Sequence, residues 1–322
     1  MRDRLLVLLF ATLTAGALAQ TARVPRVALV ATGTEQSTRA GAEAFREGLA
    51  EVGLEEGLTV HVDRRFAEGR PERYPALFAD LLRQPADVLM AAGYEGIKAA
   101  QEASGGKIPV IGYFCGNEVE FLVRSFARPG GNVTGVACLS SDTVGKKVEL
   151  LREIVPKLRR AAFLYYSETP GKEGELRETQ IAGERLGMSV LAAPVNSTQR
   201  LPESFVQLQR EGAEALIISE DIFTFGNRER IMALAAEHRL PTISSYREFV
   251  TAGGLISYGA NYRERSRKFG YYLGRVLRGM APADLPIDQP THFELVISAP
   301  AAKALGITIP PTLLARADEV IE

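Results

Sequence analysis

From Val24 onward, short apolar runs alternate with amphipathic stretches. Residues 26–32, RVALVAT, are apolar without alternation, as expected of a strand buried on both faces. In residues 39–53, Ala44, Phe45, Leu49 and Val52 fall on one helical face, and Gly53 stops the helix. A second strand is predicted over 58–67 and a second helix over 71–84. That helix opens on Pro71 and lines Tyr74, Leu77, Phe78 and Leu81 along one side. Strand 86–93, helix 95–104 and strand 107–114 continue the series.

The same alternation restarts after residue 136. Helices are expected over 146–156, 175–187, 204–212, 228–239 and 262–279, and strands over 159–167, 188–195, 214–220, 240–246 and 253–260. Alternating helix and strand implies an α/β fold with parallel sheets, here in two Rossmann-like sets. Between the sets stands SFARPGGNVTGV, residues 125–136. Pro129, Gly130 and Gly131 break any helix, and Val133, Thr134 and Val136 favour a strand. This strand is expected to carry the chain from one lobe into the next, with the glycines easing the turn into a hinge.

The first twenty residues differ. Arg2 and Arg4 precede the apolar run at 5–14, and Ala17, Leu18 and Ala19 form a small-residue cleavage pattern. Residues 1–19 therefore read as a secretory signal peptide, too short for a typical membrane span. Position 20 is Gln20, not the cysteine that a bacterial lipid anchor needs, so a periplasmic protein free of the membrane is expected. The whole chain carries net charge -1, and without residues 1–19 it carries 36 basic against 38 acidic groups, net -2, which gives no footprint for nucleic acid.

Candidate chemistry is sparse. No Gly-x-Ser-x-Gly elbow, phosphate loop, dinucleotide glycine pattern or His-Glu-x-x-His occurs, which argues against an enzyme. His61, His238 and His292 are scattered, so no metal site and no cofactor are expected. Cys115 and Cys138 end strands expected to be neighbours. They read either as two buried thiols, weighed slightly ahead, or as a disulfide pinning the hinge strand to the first lobe.

Open parallel sheets bind ligands beyond the carboxyl ends of their strands. In the first lobe those ends hold Thr32, Thr34, Gly93, Tyr94, Glu95, Phe114 and Asn117. In the second they hold Tyr165, Tyr166, Asp221, Ser245, Tyr246, Tyr258 and Asn261. Tyrosine faces suit a ring or a cation, and Glu95 and Asp221 suit an ammonium. About half of the tyrosines are expected to be structural packing instead.

Several stretches resemble one family. FREGLAEVGLEEG and AEGRPERYPALFADLL are similar to its first-lobe helices, and RSFARPGGNVTGV to its central signature. RLPTISSYREFVTAGGLISYG and the block from RVLRGMAPADLPIDQP to the end are similar to its second-lobe and C-terminal segments. The chain resembles the tryptophan-binding (TrpX-like) group of ABC-transporter substrate-binding proteins, of the type I periplasmic-binding fold, over nearly its whole mature length. The resemblance implies two lobes joined by a multi-strand hinge: residues 24–136 plus roughly 262–290, and 137–261 plus roughly 291–322. It implies a monomeric receptor that closes on a small solute and delivers it to a membrane permease. A periplasmic sensor serving a membrane signalling protein is the alternative, and an α/β enzyme the remoter one.

Two departures bear on the ligand. Members commonly carry an Asp-Pro-Val run after the fourth strand, where this chain has Asn117, Glu118 and Val119. They commonly carry small residues and Thr after the third strand, where it has Tyr94 and Glu95. Those side chains are expected to make the pocket smaller and more acidic, suiting an amino acid or another small amine.

Overall fold

The computed structural model describes residues 23–116, 119–139 and 143–322, so the signal-peptide reading of 1–19 and the candidate Asn117 lie outside the described residues. The first set comprises β1 (Arg26–Ala31), α1 (Arg39–Ala50), β2 (His61–Phe66), α2 (Tyr74–Leu81), β3 (Val88–Ala92), α3 (Gly93–Ser104), β4 (Val110–Phe114), α4 (Val119–Leu122) and β5 (Val133–Ala137). Its five strands are parallel, in the order β2-β1-β3-β4-β5.

The second set begins with α5 (Val144–Ile154), β6 (Arg160–Tyr166), α6 (Lys172–Arg185), β7 (Ser189–Val195), α7 (Leu201–Arg210) and β8 (Ala215–Ile218). It continues through α8 (Ile222–Gly226), α9 (Arg228–Glu237), β9 (Thr242–Ser244), α10 (Arg247–Thr251) and β10 (Ile256–Gly259). After α11 (Tyr262–Leu277), it ends with β11 (Glu294–Ser298), α12 (Ala299–Leu305), α13 (Pro311–Leu314) and β12 (Glu319–Ile321). This seven-stranded sheet runs β12-β11-β10-β9-β8-β6-β7, parallel except where β10 meets β11. Two α/β lobes joined by several passes of chain are the architecture expected.

The apolar faces pack as their spacing requires. Ala44, Phe45, Leu49 and Val52 are all buried. α11 returns to the first lobe and packs on α1 through glycines: a Cβ at Gly48 would meet the Arg267 carbonyl, and one at Gly270 the Phe45 carbonyl. Helix axes approach that closely only where no side chain intervenes.

The chain passes between lobes three times: after β5, between β10 and α11, and again before β11. The passes are tied together. Val136 bridges Asp288, with Ala137 N–H donating to the Asp288 carbonyl (2.7 Å) and Asp288 N–H to Gly135 (3.0 Å). Arg265 of α11, almost fully buried, pairs with the Asp288 carboxylate and reaches the Ala137 carbonyl.

Two local expectations change. The helix before the Pro-Gly-Gly turn ends at Leu122, well short of it, and β5 pairs fully with β4, so the crossing starts after Ala137. Gly130 and Gly131 both take left-handed angles, φ 69° and 64°. The pattern reading also omits α4, α8, α10, α12 and α13, which have four to seven residues and are too short to generate helical periodicity.

Candidate functional site

A cavity of about 1140 Å³ opens between the lobes beyond the carboxyl ends of β1, β3, β4 and β8. Rings from three sources converge on it. Phe45, Phe66 and Tyr113 come from the first lobe, Phe225 and Tyr246 from the second, and Tyr262 and Phe269 from α11. Their centroids lie 5.1 Å apart for Phe225–Tyr262, 5.4 Å for Phe225–Tyr246, 5.7 Å for Tyr246–Tyr262, 5.9 Å for Tyr113–Phe269 and 6.2 Å for both Phe45–Phe269 and Tyr113–Tyr262. Such edge and tilted contacts make a continuous aromatic wall. Tyr246 OH donates to Tyr113 OH across the lobes at 3.3 Å.

The other end is charged. Arg39 pairs with Glu43 on the exposed turn of α1 (3.3 Å), while Arg46 and Arg64 share Glu56. Burial raises the Glu56 carboxyl, but the two guanidiniums outweigh it and hold it below its ordinary value. An apolar aromatic wall with a zwitterionic rim suits a solute that is part ring and part polar head.

Of the candidates, Thr32, Thr34, Asp221 and Tyr246 line this cavity. Asp221 is committed elsewhere. It caps α8, accepting from Thr224 N–H at 2.7 Å in a capping box, and accepts from Tyr166 N–H at 3.1 Å. Tyr166 stacks on Phe223 (5.0 Å, 15°). Glu95 accepts from Thr169 Oγ1 across the cleft at 2.5 Å, and its carboxyl is raised by burial. Tyr94 turns edge-on to Phe121, so neither Tyr94 nor Glu95 fills the cavity, which stays larger than expected.

Gly93 sits against Ile222 at the lobe contact. Phe114 is a core ring, and Tyr165 packs on Phe163. Ser245 accepts from Lys147 Nζ at 3.0 Å. Tyr258 stacks on Phe293, and Asn261 caps α11 and donates to Glu294 at 2.8 Å. None of these lines the cavity. The sequence reading passed over Tyr113, Phe225 and Tyr262. Tyr262 carried a usable signal, opening a long helix directly after a crossing.

Under the second-lobe wall lies an ionic network. Lys172 Nζ donates to Glu175 Oε2 (3.0 Å) and to the Glu220 carbonyl (2.7 Å), and Ser219 Oγ donates to Glu175 Oε2 (3.0 Å). Burial raises Glu175, yet Lys172 and Lys147 outweigh it and leave the carboxyl below its ordinary value. Glu220 is raised by burial, although Tyr246, Cys138 and Lys147 oppose this. Cys115 and Cys138 are buried thiols, and Cys115 donates to the Tyr113 carbonyl at 3.7 Å.

The lobes touch directly in this state. Arg228 donates to the Ser37 carbonyl (3.0 Å) and Asn227 to the Gly69 carbonyl (3.0 Å). A Cβ on Gly226 would lie 2.4 Å from Gly69 Cα, so the contact requires bare backbone.

A family model described as ABC transporter substrate binding protein matches residues 26–321. A Streptococcus pneumonia ABC domain in complex with L-Trp is similar at TM-score 0.83 and 23% identity, covering 92% of this chain and 99% of that one. A conserved domain protein from Vibrio cholerae reaches TM-score 0.84 at 23% identity, covering 92% and 100%. An open, ligand-free substrate-binding protein from Clostridium difficile reaches only 0.64 at 19% identity, covering 92% and 99%. No curated protein matches the chain. No helix among the described residues is long and apolar enough to cross a membrane.

Proposed function

This chain belongs to the ABC transporter substrate-binding proteins, and we propose that it is the periplasmic receptor of an importer that takes a small amino acid or amine into the cleft. The observation that carries this reading is the convergence of seven rings from both lobes and α11 on one cavity. A solute seated there touches both lobes and α11, so its binding energy favours the closed state over the open one. The rim of Arg39, Glu43, Arg46 and Arg64 gives a zwitterionic head group charges of both signs. That the Streptococcus neighbour holds L-Trp supports an aromatic side chain. The implied partner is a membrane permease, and a monomer fits the role.

Thermal denaturation of the mature protein against amino acids, amines and aromatic acids tests this. A solute at 100 times its dissociation constant stabilises the folded state by about 2.7 kcal/mol. A raised midpoint with an amino acid or amine is the expected result. A shift only with simple acids or sugars overturns the ligand class.

A further inference from the structure

We propose that Cys115, Cys138 and Glu220 form a binding site for a thiophilic divalent metal ion, Zn²⁺ in class, at the seam between the lobes. The three residues come from different passes of the chain. Cys115 directly follows β4, Cys138 opens the first crossing, and Glu220 follows β8. One donor atom from each lies within 4.8 Å of the other two. All three residues are buried, at 7%, 1% and 2% exposure.

The second observation is the carboxylate itself. Both Glu220 oxygens are buried, and neither has a well-formed hydrogen-bond partner. Tyr246, Cys138 and Ser245 stand close enough to pull its pKa down, but none completes a good hydrogen bond, and a buried carboxylate so poorly satisfied is costly unless something electropositive fills the gap. Two sulfurs and one oxygen are the donor set that a borderline-soft ion prefers. Tetrahedral Zn²⁺ at about 2.3 Å from each sulfur needs them about 3.8 Å apart, and the donor atoms already lie within 4.8 Å of one another.

Charge also balances. On binding, the two thiols release their protons to solvent, giving two thiolates and one carboxylate around a divalent cation. The remaining negative charge faces Lys147, a fully buried ammonium within electrostatic reach of both Cys138 and Glu220. Cys115 and Glu220 also line the cavity, so the fourth coordination position faces the solute or a water. The ion would bolt the first lobe, the first crossing and the second lobe together. This goes beyond the receptor reading and holds whatever solute the cleft takes.

The test is titration of the reduced, purified protein with Co²⁺ and then Zn²⁺. The expected result is one Co²⁺ per chain with a thiolate-to-metal charge-transfer band, lost on adding Zn²⁺, and a thermal midpoint raised by Zn²⁺. Cys115→Ala and Cys138→Ala should each abolish the band. Glu220→Gln should keep the apo midpoint and weaken Zn²⁺ at least tenfold. If a cysteine variant fails to fold, Glu220→Gln alone carries the test. Binding without the band, binding unaltered in the variants, or no binding by the reduced protein overturns the proposal. With the solute panel run in chelator, the two tests are independent: failure here leaves the receptor reading standing, and failure there leaves this one.

Discussion

The two lobes place their lysine–carboxylate and arginine–carboxylate pairs differently relative to the cleft. The first lobe carries many of its ion pairs at the surface, such as Arg65 with Asp80 and Arg70 and Arg73 with Glu68, although Arg26–Asp63 and Arg64–Glu56 are partly buried. The side chains of Arg65 and Asp80 are 44% and 38% exposed. Beneath the cleft the second lobe adds a buried set of lysines and carboxylates, in which the side chains of Lys172 and Glu175 are only 4% and 2% exposed. An exposed pair gains little over water, whereas a buried pair that loses one partner strands a charge in low dielectric. Exposed pairs such as Arg65–Asp80 are therefore expendable. The second lobe's network holds the cleft wall in one geometry, because Lys172 also grips the Glu220 carbonyl.

The largest test of this contrast is Lys172→Met set beside Arg65→Met. Loss of Lys172 strands Glu175 and should cost about 3–5 kcal/mol, while loss of Arg65 should cost under about 1 kcal/mol. Urea unfolding of the two variants measures both. Equal losses would end the distinction between the lobes.

The next test concerns the contact between lobes rather than either lobe's interior. Gly226→Ala places a Cβ against Gly69 Cα. Overpacking of that kind costs about 1–3 kcal/mol against the closed state, which corresponds to a roughly 5- to 150-fold loss of solute affinity. If the lobes close as proposed, stability to urea should barely change, because an open form would relieve the clash. Calorimetric titration with the solute found by the panel reads the affinity, and an unaltered value would mean that closure does not need this contact.

The smallest effect is expected at Glu248, on α10 at the lobe seam. Burial pushes its carboxyl up to about 7, with Arg228 and Arg247 pulling down and Glu294 pushing up. Tyr262 also faces it. A carboxyl with a raised folded pKa holds its proton more tightly in the folded state. Its stabilising contribution is present below the unfolded value of 4.5 and is lost as pH rises through about 7. Glu248→Gln should therefore raise the thermal midpoint at pH 8 by a few degrees and leave it unchanged at pH 4. A gain that is the same at both pH values would show that the change acts through packing and not through charge.

Much of the architecture was legible along the chain. Apolar runs without alternation marked strands buried on both faces, and the restart after residue 136 marked a second α/β set. The strand ends pointed to Thr32, Thr34, Asp221 and Tyr246, which line the cavity. Asp221 also carried a local signal that it was committed, since Asp221 and Thr224 have capping-box spacing. Short helices such as α8 and α10 left no periodic trace.

What the sequence by itself determined was each element's type and buried face, because burial repeats every 2 or 3.6 residues within one element and needs no distant partner. What only the tertiary structure decided was which groups meet. Tyr113 stands beside Tyr246 and Tyr262, Glu95 meets Thr169 across the cleft, and Cys115, Cys138 and Glu220 share one buried corner. Those meetings depend on three chain crossings and on the angle between the lobes. No local spacing encodes that angle, because it results from backbone contacts such as Gly69 against Gly226 between residues far apart in the chain.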